Sequence, residues 1–119
     1  MRVAVIGASD NPERYSYQAF KLLQEKGHTV YPVHQRIQLI DGVSVYSSIK
    51  DISDAIDTVT MYVSADISNL LAENILAKPP KRIIFNPGAE NSQLATRAQA
   101  LGINTINACT LVMLRTGQF

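Results

Sequence analysis

The chain has 119 residues, 46% apolar and 18% charged, which at about 100–200 residues per domain is expected to make one domain over residues 1–119. Its 11 basic and 10 acidic residues leave a formal net charge of +1, so no strong global field draws nucleic acid or an anionic membrane, and any anion must be held locally. Apolar runs such as Val3 to Ile6 and Leu111 to Leu114 are far shorter than the ~20 residues that span a bilayer. Met1-Arg2 leads straight into an apolar run without a cleavable signal pattern, and a single cysteine, Cys109, cannot build a disulfide framework. A reducing, cytoplasmic setting is the default expectation.

In chain order, Arg2 to Ile6 is short, β-branched and apolar on both alternate sets, which predicts a first strand covered on both faces. A helix follows from Tyr15 to Lys26, with Ala19, Phe20, Leu22 and Leu23 at helical spacing and Gly27 as its stop. Thr29 to Val33 reads as the second strand, with Pro32 removing one ladder donor near its end, and residues 34 to 54 read mostly as connection. Asp57 to Val63 is the third strand. Asp66 to Ala77 is a helix with Ile67, Leu70, Leu71 and Ile75 on one face, ended by Pro79-Pro80. Arg82 to Phe85 is the fourth strand, followed by the turn Asn86-Pro87-Gly88-Ala89 and a helix from about Ser92 to Leu101 closed by Gly102. Ile103 to Ile106 is the fifth. Strands alternating with helices require right-handed parallel crossovers. The expected fold is therefore α/β: a Rossmann-like, doubly wound, five-stranded parallel sheet in three α/β/α layers, with strand order 3-2-1-4-5.

In such sheets ligands bind outside the carboxyl ends of the strands, where the strand order reverses. The loop from Gly7 to Arg14 enters the first helix, and Gly7, without a β-carbon, lets a phosphate approach the backbone and the helix N-terminus. Ser9 adds a hydroxyl donor. The second and third glycines of the dinucleotide fingerprint are missing, because Ser9 and Pro12 stand in their positions. The second strand is followed by His34-Gln35-Arg36 rather than by the acidic residue that accepts the ribose hydroxyls of NAD. A guanidinium there suits an extra phosphate, as in NADP or on the 3′ position of coenzyme A, and Arg14 stands at the mouth of the first loop. Both arginines could equally be solvated surface residues.

The run Val5-Ile-Gly-Ala-Ser-Asp-Asn-Pro12, with Tyr31-Pro-Val33, resembles the small bacterial coenzyme A-binding proteins. The likeness continues through Gly42, Tyr46 and Ser48, the Asn86-Pro-Gly-Ala-Glu-Asn91 turn, and Ala108-Cys-Thr-Leu-Val-Met-Leu114, covering essentially the whole chain. The resemblance implies a stand-alone Rossmann-like domain similar to the coenzyme A-binding domain of succinyl-coenzyme A synthetase. By position it implies Gly7, Ala8 and Ser9 at the phosphates, Val33 beside the adenosine, Val63 and Ser64 after the third strand, and Pro87 and Gly88 on the far wall. Where the family commonly has Asn-Pro after the second-strand valine, this chain has His34-Gln35.

A catalytic reading needs a nucleophile beside a base at the crevice. Cys109 and His34 both follow strands, but the 3-2-1-4-5 order separates them by three strand spacings, about 14 Å at about 4.8 Å each. His28 starts the second strand, at the edge away from the ligand. Asp51, Asp54 and Asp57 read as solvated connection charges, Glu90 as a favourable charge before a helix, and no cluster has zinc spacing. Succinyl-coenzyme A synthetase chemistry uses a phosphorylated histidine on a further domain, which a chain of this length is not expected to hold. The residues thus favour a non-catalytic module for coenzyme A or an acyl-coenzyme A, with a protein partner or a homodimer as further options. A small NADP-binding oxidoreductase and a structural or regulatory protein with a vestigial crevice are the alternatives.

Overall fold

The elements run β1 (Arg2–Ile6), α1 (Tyr15–Glu25), β2 (Thr29–Val33), β3 (Leu39–Ile40), β4 (Val43–Ser44), a 3-10 turn (Ile49–Asp51), β5 (Thr58–Met61), α2 (Ala65–Ala77), β6 (Arg82–Phe85), α3 (Ser92–Ala100), β7 (Asn104–Asn107) and α4 (Thr110–Arg115). This is the architecture of a computed structural model that describes residues 1–119.

Five strands pair in parallel in the order β2-β1-β5-β6-β7. Counted in chain order this is 2-1-3-4-5, which corrects the expected 3-2-1-4-5. Pro32 supplies the physical reason. Its carbonyl accepts from the Tyr46 amide (2.9 Å) on the side away from β1, so its missing N–H also faces outward, where no ladder partner is lost. An interior second strand would have had no such free side. Tyr46 then covers the edge, because the His34 amide donates to its carbonyl (2.9 Å).

Alternation along the strands fills two cores. Ala4, Ile6, Tyr31, Val59, Met61, Ile83 and Phe85 pack under Ala72 and Ile75 of α2, Leu94 and Ala98 of α3, and Ile49 of the 3-10 turn. On the opposite face Val3, Val5 and Val30 pack under Phe20 and Leu23 of α1 and Leu114 of α4. Helices on both faces make the fold Rossmann-like and three-layered. Ser16, Ala19, Phe20 and Leu23 form the buried stripe of α1, and truncating a buried phenylalanine such as Phe20 costs about 3–5 kcal/mol. Both α1 and α3 end on a glycine with positive φ, Gly27 (86°) and Gly102 (81°). In each, the two residues after the helix cap donate back to the last turn: Gly27 to Gln24 and His28 to Leu23, Gly102 to Gln99 and Ile103 to Ala98.

Besides the 3-10 turn, a hairpin and a last helix were absent from the sequence reading. The connection after β2 contains the β3–β4 hairpin, turned by Asp41 (φ 48°) and Gly42 (φ 79°), and the chain after β7 forms α4, which buries Leu111, Met113 and Leu114. The four large apolar residues on one face of α2 are buried unequally. Ser68, Ala72 and Ile75 are fully buried and Leu71 and Leu76 pack partly buried against the core, whereas Ile67 and Leu70 are 45% and 82% exposed. The fully buried stripe thus includes the small residues Ser68 and Ala72, and the larger Ile67 and Leu70 stand to its side. No helix is long and apolar enough to cross a membrane.

Candidate functional site

The order 2-1-3-4-5 puts the reversal between β1 and β5, so the loops that leave these two strands flank the crevice. Two adjoining cavities lie there. The larger, of about 530 Å³, is walled by Gly7, Ala8 and Ser9, by Glu13 to Ser16 at the start of α1, and by His34, Ile37, Tyr62 and Val63. The smaller, of about 360 Å³, runs beneath Val33 to Arg36 between Ser47 to Ile49 and the Ile67, Leu70, Leu71, Asn74 and Ile75 side of α2. Gly7, His34 and Val63 belong to both and form the partition. One cavity is thus ringed by polar and charged groups, and the other has an aliphatic wall.

Some donors of the first loop are bonded within the chain and others are not. The Gly7 and Ala8 amides both donate to the Val33 carbonyl at 3.1 Å, tying β1 to β2. The Asn11 amide donates to Ser9 Oγ (3.0 Å) and the Glu13 amide to Asn11 Oδ1 (3.0 Å), which tightens the loop. The amides of Ser9, Asp10, Tyr15, Ser16 and Tyr17 have no partner within the chain, and Ser9 Oγ keeps its own hydrogen free. Arg14 caps α1 through its backbone alone, with no side-chain cap and no acidic residue in the first turn. The positive end of α1 therefore opens on the larger cavity with no acidic side chain in its first turn, and Glu13 and Arg14 just before it place one charge of each sign on the cavity wall.

Gly7 adopts φ +85°, and a β-carbon there would lie 2.8 Å from Val63 Cγ1 and 3.1 Å from the Tyr62 carbonyl oxygen. The glycine lets the β1 and β5 loops touch and so sets the thickness of the partition. His34 accepts at Nδ1 from the Arg36 amide (3.0 Å) and the Ile37 amide (3.2 Å), closing a tight turn at the end of β2. Tyr62 turns its ring toward α1 and α4. Burial pushes its phenol up to about 12, so it is neutral at physiological pH, and its hydroxyl has no hydrogen-bond partner.

The cavities bring together Gly7, Ala8, Ser9, Arg14, Val33, His34, Arg36 and Val63. Ser64 caps α2, and Pro87 and Gly88 are exposed in the turn after β6; these three line neither cavity. The Gly88 amide donates to Glu90 Oε1 (2.9 Å) within that turn. Beneath it, Asn86 Nδ2 donates to Thr60 Oγ1 (2.8 Å) and the Met61 carbonyl (2.9 Å), while its Oδ1 accepts the Thr110 amide (2.8 Å). One buried amide thereby fixes β6 and α4 to β5. Asp51, Asp54 and Asp57 act as tethers, accepting from Ser47 Oγ, Tyr31 Oη and the Arg2 amide. The sequence reading missed Tyr62, Ile37, Ser47 to Ile49 and the α2 wall. The available signal was an α2 sequence with more large apolar residues than one buried stripe uses.

A family model described as a CoA binding domain matches residues 1–115. The chain belongs to the CoA binding domain family. Among relatives of this family member, the alpha subunit of an ADP-forming acetate–CoA ligase II from Pyrococcus furiosus is 42% identical over 62 residues, 51% of this chain and 14% of that protein. The uncharacterized protein YneT of Bacillus subtilis is 36% identical over 75 residues, 63% of this chain and 56% of that protein. The match therefore spans well under two thirds of either relative. A crystal structure of an uncharacterized protein superposes with a TM-score of 0.93 at 34% identity, covering 99% of this chain and 97% of the other. A hypothetical protein from Pyrococcus horikoshii OT3 gives 0.90 at 29% identity, covering 96% and 81%.

Proposed function

We propose that this chain binds coenzyme A or an acyl-coenzyme A across the two cavities and holds it without carrying out acyl activation itself. The observation that carries the reading is the uncapped start of α1, where Tyr15 and Ser16, together with Ser9 of the loop, wall the larger cavity and carry amides with no partner in the chain. Such a cluster suits a pyrophosphate. The reading then runs the adenosine past the Val63–His34 partition into the smaller cavity, beside Val33 and the aliphatic wall of α2, with Arg36 reaching the 3′-phosphate. Membership of the CoA binding domain family supports coenzyme A over other nucleotides. The missing glycines at Ser9 and Pro12, and His34-Gln35-Arg36 in place of an acidic residue, argue against NAD.

Calorimetric titration of the purified protein with coenzyme A, NADP and NAD tests this, with native mass spectrometry to find any retained ligand. Coenzyme A is expected to bind most tightly. Tighter binding of NADP would replace this reading with a small oxidoreductase. Absence of both binding and retained ligand would leave a vestigial crevice.

A further inference from the structure

His34 forms part of both cavities, yet its ring is not free to choose its proton. Two backbone N–H groups, from Arg36 and Ile37, converge on Nδ1 at 3.0 and 3.2 Å. A nitrogen that accepts two hydrogen bonds carries no hydrogen, so in the neutral ring the proton sits on Nε2. No protein atom bonds Nε2, and the half-buried ring stands at the partition.

We propose that His34 is a tautomer-locked hydrogen-bond donor to a phosphate or ribose oxygen of the bound ligand, and that protonating the ring opens the His34–Ile37 turn and weakens binding. The proposal rests on the coenzyme A reading for the ligand, and on this chain's own geometry for the lock. Protonation would add a hydrogen at Nδ1, facing two N–H groups, and both bonds would be lost. With them goes the fixed course of the backbone that carries Arg36. A histidine that simply contacts a phosphate would behave in the opposite way, binding more tightly as it becomes cationic. The titratable and charged groups that line the two cavities with the ring are Glu13 and Arg14 at the start of α1, Arg36 on its own turn, and the phenols of Tyr15 and Tyr62. The α2 side presents Ile67, Leu70, Leu71 and Asn74, none of them ionisable.

The test uses 3′-dephospho-coenzyme A, because a phosphomonoester titrates near pH 6 and would confuse the profile. Its affinity for the wild type is read across about pH 5 to 8 and compared with that of His34→Asn. The asparagine oxygen can take the place of Nδ1 as acceptor but cannot be protonated. The wild type should lose about fivefold or more in affinity toward the acid end, the scale of one hydrogen bond, while His34→Asn stays flat. An affinity that rises in acid, or an equal fall in His34→Asn, overturns the proposal. The ¹⁵N spectrum of the unliganded protein decides the lock independently: it should report Nε2–H at neutral pH, with the Arg36 and Ile37 amides shifting as the ring protonates. Hydrogen on Nδ1 at neutral pH overturns it. If the dephospho ligand binds at no pH, the coenzyme A reading fails, and the spectrum still decides the tautomer.

Discussion

At Gly7 two requirements coincide: a positive φ that an L-residue adopts only with strain, and a missing β-carbon whose place is hemmed in by Val63 and the Tyr62 carbonyl. Gly7→Ala is expected to lower stability by about 1–3 kcal/mol, the usual scale for such backbone strain, as read from urea midpoints. Adding Val63→Ala should recover part of this by removing the side-chain contact but not the φ strain. Strict additivity of the two substitutions would show that the close approach of the loops is not the cause. The glycine was legible from its place after the first strand. Its neighbour was not, since nothing local says that the β5 loop, more than fifty residues on, passes beside it. Arg36 is the second case at this scale. It is exposed and its side chain is in no ion pair, so any selectivity it contributes must come from the ligand. Arg36→Ala should weaken coenzyme A about three- to tenfold, the range of a solvent-weakened charge-assisted bond, and leave 3′-dephospho-coenzyme A unchanged. Equal loss for both ligands would remove the proposed 3′-phosphate contact.

Among the elements, the β3–β4 hairpin shows how a short unit is held when its own ladder is only two residues long. Asp41 at its tip accepts from Tyr17 Oη (2.6 Å) and pairs with Lys21 Nζ (3.0 Å), both on α1. The Tyr17 bond first, and the Lys21 bond next, hold the Asp41 carboxyl below its ordinary value of 3.8. A carboxylate depressed by folding adds stability above its unfolded pKa and loses it as the pH falls through the folded value. Stability from this clasp is therefore intact at pH 7 and fades below about pH 4. Asp41→Asn keeps an acceptor for Tyr17 and tolerates the left-handed turn, but carries no charge. Urea midpoints should accordingly fall less between pH 7 and 3 in the variant than in the wild type; equal falls would remove Asp41 from the acid sensitivity. The hairpin did carry a sequence signal, the Asp41-Gly42 pair of a tight primed turn, hidden by strands too short to show alternation. Helix α4 was hidden in a similar way, since six residues hold only one repeat of its Leu111–Leu114 spacing. The long elements were read within one or two residues, because three or four turns of buried stripe leave little ambiguity.

For the whole molecule, strand order decides what the site can be. Both 3-2-1-4-5 and 2-1-3-4-5 satisfy right-handed crossovers, so helix and strand patterns do not separate them; only Pro32, which favours an edge for the second strand, pointed to the order found. With β2 and β7 at opposite edges, His34 and Cys109 are separated by four strand spacings, about 19 Å at about 4.8 Å each, rather than by three. Proton transfer between them has no direct route. The crevice opens between β1 and β5, two spacings from β7, and Cys109 lines neither cavity. Its half-buried thiol stands at the start of α4, where its carbonyl accepts the Met113 amide. A role in holding the nucleotide is therefore not expected of it. Cys109→Ser should leave the affinity for coenzyme A under reducing conditions within a few-fold of wild type, about 1 kcal/mol or less. The competing outcome is a mixed disulfide with the ligand thiol, which would need an exposed thiolate in an electropositive setting. Intact-mass measurement after incubation with oxidised coenzyme A distinguishes the two. No adduct should appear on the wild type, and a gain of one coenzyme A that vanishes in Cys109→Ser would show that the flexible arm of the ligand reaches from the β1–β5 crevice to the β7 edge.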